Sequence, residues 1–297
     1  MRISVTGSSG LIGSALVPFL TAQGHEVGRV VRSTTAAGDW RWDPGAGHVD
    51  AGAVNGKDAV VHLAGETIAA GRWSAARKAR IRDSRVHGTR VVAEAVARAD
   101  PRPKALLCAS AMGFYGDRGD ERLTEASAPG RGILSEVSRE WEEACAPARE
   151  QGVRVVNLRF GIVLSPAGGA LAKMLLPFRL GAGGVVGSGK QWWSWVGLDD
   201  AVGAIQHALV TPGLSGPVNV VAPNPVTNAE FTRTLGRVLA RPTLFPVPVF
   251  AARLAFGEMA DALLLASARV VPERLQQTGC MFHHPELEGA LRHLLGR

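Results

Sequence analysis

One tyrosine, Tyr115, stands among 297 residues, so any chemistry that needs a phenol has a single place to find it. Cysteine is nearly as scarce. Cys108, Cys145 and Cys280 are odd in number and far apart, which excludes a disulfide framework, gives no metal-ligand pattern and suits a reducing cytoplasm. A long uninterrupted apolar run is also missing: Val247 to Val271 is broken by Arg253, Glu258, Asp261 and Arg269, so no membrane partner is expected. The chain opens directly on a strand, with no leader before it, and a cytoplasmic location is expected. Lysine is confined to Lys57, Lys78, Lys104, Lys173 and Lys190, and arginine supplies the rest of the 33 basic residues that give a net charge of +7. These are scattered. The densest group, Arg72 to Arg90, alternates with Ala, Ile and Asp at helical spacing, the pattern of a solvated or phosphate-facing helix, and no nucleic-acid partner is expected.

Glycine and apolar residues, by contrast, are plentiful, with 36 glycines and 46% hydrophobic residues. The most informative stretch is residues 3–13, Ile-Ser-Val-Thr-Gly-Ser-Ser-Gly-Leu-Ile-Gly. A β-rich run ends in Gly7, Gly10 and Gly13, and an apolar helical pattern (Leu11, Ile12, Ala15, Leu16, Phe19, Leu20) starts at once. Strand, tight turn and helix N-terminus together suit a dinucleotide pyrophosphate. Gly7 lets the chain turn, Gly10 lets backbone N–H groups approach the phosphates, and Gly13 lets the helix pack against the strand.

Strands are expected at about 2–6, 26–31, 58–63, 104–110, 153–159 and 217–221. Helices are expected at about 11–23, 74–99 with Ser74 as N-cap, 133–150 and 168–180. Near-continuous apolar strands alternating with helices predict an α/β fold with a doubly wound parallel sheet covered on both faces. Asp199-Asp200 read as cap and first turn of a further helix, and Thr227 to Glu230 as a capping box. A boundary is placed near 223. It separates a dinucleotide-binding domain, 1–223, from a small, mainly helical domain, 224–297, with 161–195 contributing to the substrate side.

The second strand ends Val31-Arg32-Ser33, where an acid would hold the ribose 2′-hydroxyl of NAD and an arginine would accommodate the 2′-phosphate of NADP. Glu26 lies at the strand's start and cannot reach. NADP(H) is therefore the expected cofactor, with NAD(H) the alternative.

These residues resemble the extended short-chain dehydrogenase/reductase superfamily with its Rossmann fold. Thr6 to Gly13, His62-Leu63-Ala64-Gly65 and Ser110 to Gly116 are similar to its cofactor, fourth-strand and fifth-strand motifs. The stretches Leu63 to Glu66, Arg72-Trp73, Asp83-Ser84-Arg85, Gly113 to Gly119, Gly187 to Trp192 and Ser194 to Val196 resemble an atypical branch, the NAD-dependent epimerase/dehydratase family, and the tail resembles that branch's small C-terminal domain. The resemblance implies cofactor contacts from Gly7, Ser9, Gly10, Leu11, Ile12, Gly13, Arg32, Ser33, Leu63, Ala64 and Gly65. The superfamily's Tyr-x-x-x-Lys is missing. Alignment puts Ser135 in the Tyr slot, Arg139 in the Lys slot as a cation near the ribose, Ala111 in the Ser slot and Arg85 in the Asn slot. A proton donor then has to come from Tyr115, Glu66 or a water held by Ser110. Hydride chemistry itself belongs to the cofactor.

Three patterns point elsewhere and are set aside. Gly184 to Lys190 fits a phosphate loop, but Gln191 replaces the hydroxyl residue and no helix pattern follows. His283-His284 lack a third metal ligand, and no metal is expected. Trp192, Trp193 and Trp195 read either as a stacking platform or as an apolar plug between domains. The expectation is an NAD(P)-binding oxidoreductase or epimerase-like enzyme, monomer or homodimer, acting on a small-molecule substrate. The alternative is a non-catalytic NADP(H)-binding regulator or redox sensor.

Overall fold

The computed structural model describes residues 1–33, 36–69 and 71–297; Thr34, just beyond the end of the second strand, lies outside them. An eight-stranded sheet runs in the spatial order Gly216–Val220, Arg154–Phe160, Ala105–Ala111, Ala59–His62, Arg2–Thr6, Glu26–Val31, Trp40–Asp43, His48–Val49. All its pairs are parallel except the last. The chain moves outward from Arg2–Thr6 in one direction and from Ala59–His62 in the other. The order therefore reverses between these two strands, and their carboxyl ends form the crevice where ligands bind in such sheets.

The central strands are buried along nearly their whole length, so both faces carry helices. Leu11–Ala22 and Leu198–Val210 pack together, and Ala75–Arg98 packs with Ile133–Glu143 and Ala146–Glu150. Ser74 caps its helix by accepting a hydrogen bond from the Arg77 N–H. Residues 133–150 form two helices and not one. Pro147 has no N–H to bond the carbonyl of residue 143, and the helix ends there. Cys108 is a fully buried strand residue, and all three cysteines are unpaired.

Short pairs that alternation does not reveal build the upper part of the molecule: Ile162–Ser165 with Trp195–Gly197, Trp192–Trp193 with Val226–Thr227, and Arg269–Val270 with Arg122–Leu123. The first two adjoin a second core of Leu164, Leu171, Phe178, Trp193, Trp195, Phe231, Leu235 and Leu291, and Leu123 and Val270 of the third pack with Phe114 and Tyr115. Trp193 and Trp195 are thus an apolar plug, while Trp192 stays half-buried with its indole N–H on Asp120 Oδ1 at 2.6 Å. Lys190 is followed by Gln191 and a short strand, so the glycine-rich segment before it opens no helix.

Gly197, not an aspartate, is the N-cap of Leu198–Val210, and both acids lie in the first turn. Asp200 is buried and accepts from the His283 N–H at 2.7 Å and the His284 N–H at 3.1 Å. It thereby anchors the C-terminal segment to the sheet domain. Asp200→Ala strands those donors, and urea unfolding should show a loss of about 2–3 kcal/mol.

Candidate functional site

Gly7 has φ of +67°, and a Cβ there would lie 2.7 Å from Leu63 C and Ala64 N. A Cβ on Gly13 would lie 2.2 Å from the Gly7 carbonyl oxygen. Gly10 closes the turn by donating its N–H to Gly7 O at 2.9 Å. Only glycine permits a turn folded this tightly against the neighbouring strand end. No side chain caps the helix that follows, so its first N–H groups, from Leu11 onward, remain available to an anion. The buried Ser8 Oγ also has no partner. A glycine cradle, open helix N–H groups and an unpaired buried hydroxyl fit a dinucleotide phosphate.

The two strand ends are stitched side by side. Thr6 Oγ1 accepts from the Leu63 N–H at 3.2 Å and the Ala64 N–H at 3.4 Å, and meets His62 Nδ1 at 2.7 Å. Having accepted twice, the Thr6 hydroxyl donates to Nδ1, which places the imidazole hydrogen on Nε2. His62 is fully buried, edge-on to Trp42, and its Nε2 has no partner. Burial pushes its pKa down to about 4. Gly65 continues this loop, and Ser9 is exposed on the turn. Arg32 and Ser33 are exposed just beyond Glu26–Val31. Asp39, an acid further along this stretch, faces Arg29 at 3.1 Å.

Beneath the sheet's carboxyl edge lies a buried polar relay. Ser110, Arg159 and Asn219 are in register on three adjacent strands. Ser110 donates to Glu142 Oε1 at 2.7 Å, and Glu142 takes both Nε and Nη2 of Arg159 at 2.7 and 2.8 Å. Arg159 Nη1 donates to the Tyr115 hydroxyl at 2.9 Å, which donates to Asn219 Oδ1 at 2.7 Å. The Asn219 N–H then reaches Glu125 Oε1 at 3.0 Å. Tyr115 is wholly buried, and burial raises its pKa against the pull of Arg159. Ser110 and Tyr115 therefore belong to one network in which both hydroxyls are engaged, while Glu125 Oε2 at its far end has no partner among the described residues. Removing one partner of the buried Arg159–Glu142 pair leaves an unpaired charge, at a cost of about 3–5 kcal/mol.

Glu66 is the more accessible of the three candidate acids. It accepts from Arg77 Nη1 at 2.6 Å, and its side chain keeps 38% exposure. Ser135 is buried, its hydroxyl on Phe114 O and Gly130 O. Arg139 is exposed. Ser135, Val137, Ser138 and Trp141 are the buried residues of this helix, and Arg139 lines a groove with Arg82, Arg90, Glu136 and Glu140. Arg159, Glu142 and Asn219 were not anticipated. The usable signal was Arg159 and Asn219 inside otherwise apolar strands, where a buried polar group must be paired.

The profile of the NAD dependent epimerase/dehydratase family matches residues 3–221, and a domain of unknown function, DUF1731, matches residues 247–294. The chain belongs to the NAD dependent epimerase/dehydratase family. It is 46% identical to the epimerase family protein Mb2239 of Mycobacterium bovis over 97% of this chain and 96% of that one. The crystal structure of human epimerase family protein SDR39U1 with NADPH superposes with a TM-score of 0.91 at 36% identity, covering both chains in full. A nucleoside-diphosphate sugar epimerase from Corynebacterium glutamicum superposes with a TM-score of 0.82 at 39% identity, over all of this chain and 58% of that one. Among the described residues of this family member, no group of three His, Cys, Asp or Glu side chains could hold a metal ion, and no helix is long and apolar enough to cross a membrane.

Two outcomes follow from this geometry. Gly13→Ala drives a methyl into the Gly7 carbonyl, and fluorescence titration should show nicotinamide dinucleotide affinity falling at least about tenfold. The second concerns pH. His62 is neutral in the folded chain down to about 4 and titrates at its ordinary 6.5 when unfolded. Its contribution to stability is complete above pH 6.5 and is lost as pH falls toward 4. Between pH 7 and 4.5 the wild type should lose about 2–3 kcal/mol more than His62→Leu, by urea unfolding at each pH.

Proposed function

We propose that this chain is an NADP(H)-dependent oxidoreductase or epimerase-like enzyme of the cytoplasm, monomeric or homodimeric, acting on a small metabolite. In this reading residues 1–223 hold the cofactor through Gly7, Ser9, Gly10, Leu11, Ile12, Gly13, Leu63, Ala64 and Gly65. Residues 224–297, with 161–195, close over the substrate. The observation that carries the cofactor choice is the exposed Arg32–Ser33 pair at the end of the second strand, while Asp39 is committed to Arg29. Arg32 gives the 2′-phosphate a charge-assisted bond. NADPH in the human relative supports the same choice.

The bound cofactor supplies hydride transfer at its nicotinamide. The chain's part is to position the substrate and move a proton. Glu66, half-exposed on the loop after the strand Ala59–His62, is the group we assign to proton transfer, with Ser110 and Tyr115 stiffening the floor beneath it through Glu142 and Arg159. A second reading, a non-catalytic NADP(H)-binding regulator, draws on one observation: the tyrosine is sealed in that relay and cannot touch a ligand in this conformation.

NADPH should bind at least about tenfold more tightly than NADH by nicotinamide fluorescence, and Arg32→Ala should erase the difference; equal affinities in the wild type contradict the NADP assignment. Across a panel of carbonyl metabolites, NADPH oxidation that is lost in Glu66→Gln with NADPH affinity retained supports the enzyme. No turnover with any class, together with a partner protein bound only in the presence of NADPH, supports the regulator.

A further inference from the structure

Two arginines of the helix Ala75–Arg98, Arg77 and Arg85, reach back to the loop that leaves the cofactor turn. Between Leu63 and Ser74 its one acid is Glu66, and Arg77 takes that carboxylate at 2.6 Å and also bonds Thr67 O. Arg85 is left with none. Its Nη1 donates to two backbone carbonyls, Glu66 O at 3.0 Å and Ile81 O at 3.1 Å, and its guanidinium lies 5.0 Å from the Trp141 ring centre. Nε and Nη2 have no acceptor among the described residues, and neither atom is sealed from solvent.

That open edge is the one arginine presents side-on to an oxyanion, two parallel donors in a fixed plane. The same protein uses it repeatedly, at Arg118, Arg253 and Arg292 among others. Arg159 gives Nε and Nη2 to Glu142, and Arg82 gives Nε and Nη2 to Glu140. Arg85 holds the same edge ready, its plane set by Trp141 and its Nη1 pinned by two carbonyls. Its place is next to the cofactor turn. A Cβ on Gly7 would touch Leu63 and Ala64, and one on Gly65 would lie 3.7 Å from Arg85 Cζ. From the other side Lys173 donates to Ala69 O at 2.6 Å, which brings a second cation to the same loop.

We propose that Arg85 binds an oxyanion of the substrate, a carboxylate or phosphate group, so that the substrate class is an anionic small metabolite. Burial pushes the Arg85 pKa down to about 10, with Glu66 opposing and Arg77 reinforcing that shift; the group is still charged at neutral pH and is only partly hydrated, the state in which an added oxyanion gains most. Arg32 lies at the end of the second strand, on the far side of the first strand from this loop, so the 2′-phosphate and the substrate anion are read by different arginines.

The proposal rests on the oxidoreductase reading for its word substrate, and the test separates the two. Malonate and inorganic phosphate are titrated into NADPH-saturated protein, followed by bound nicotinamide fluorescence, and into the free chain, followed by tryptophan fluorescence. The wild type should saturate with at least one of them. Arg85→Gln should weaken that binding at least about tenfold with NADPH affinity and melting temperature unchanged, and Arg85→Lys, which keeps the charge and loses the two-donor edge, should fall between. If Arg85→Gln does not fold, Arg85→Lys alone decides. Wild-type anion binding in the folded variants overturns the proposal. So does a matching loss of NADPH affinity, which would give the guanidinium to the cofactor. If NADPH fails to bind the wild type, the oxidoreductase reading falls, while saturable, Arg85-dependent binding to the free chain still upholds the anion site and its absence removes it.

Discussion

A Cβ on Gly13 would lie 2.2 Å from the carbonyl oxygen of Gly7, and this forbidden contact fixes much of the upper edge of the molecule. Because neither residue has a side chain, the first helix starts directly off the first strand and the turn lies flat against Leu63 and Ala64. Thr6 then reaches both N–H groups of the adjacent strand end and His62 beyond them. The point where the sheet reverses its strand order and the point where helix N–H groups are left open thus coincide. Ligand placement follows from that coincidence.

A second constraint lies two strands away. Charge buried inside a parallel sheet must be neutralised locally, and Arg159 achieves this with Glu142 while also holding Tyr115 and, through it, Asn219. The relay joins the sheet to the helix Ile133–Glu143 on one side. On the other, the shared acceptor Glu125 takes the N–H groups of Asn219 and Arg274. It acts as a rigid floor beneath the crevice. The chain has no Tyr-x-x-x-Lys, and its lone tyrosine is part of this floor. Glu66, the acid of the proposed chemistry, sits on the loop 63–74, and Arg85 reaches that loop from the helix Ala75–Arg98.

The sheet was legible in the sequence because each of its long strands is a continuous apolar run bounded by turn residues, and the cofactor turn because its three glycines fall between a strand and a helix. The capping box at Thr227–Glu230 and the Ser74 cap were legible for the same local reason. Pairs of two to four residues, such as Trp192–Trp193 with Val226–Thr227, are set by tertiary packing and leave no periodic trace. The break at Pro147 was visible but was overridden by the apolar pattern around it. In the candidate site, residues that follow the turn along the backbone were accessible to reading, whereas the Ser110–Arg159–Asn219 row depends on strand register.

The central claim is that the turn at Gly7–Gly13 and the loop at Leu63–Gly65 form one dinucleotide site. Amide chemical-shift mapping of labelled protein during NADPH titration tests it most directly. The account predicts that the N–H resonances of Gly10 through Gly13, Ala64 and Gly65 shift together and saturate at one affinity, with Arg32 and Ser33 following. Saturable NADPH binding that leaves the Leu11, Ile12 and Gly13 amides unmoved would contradict it.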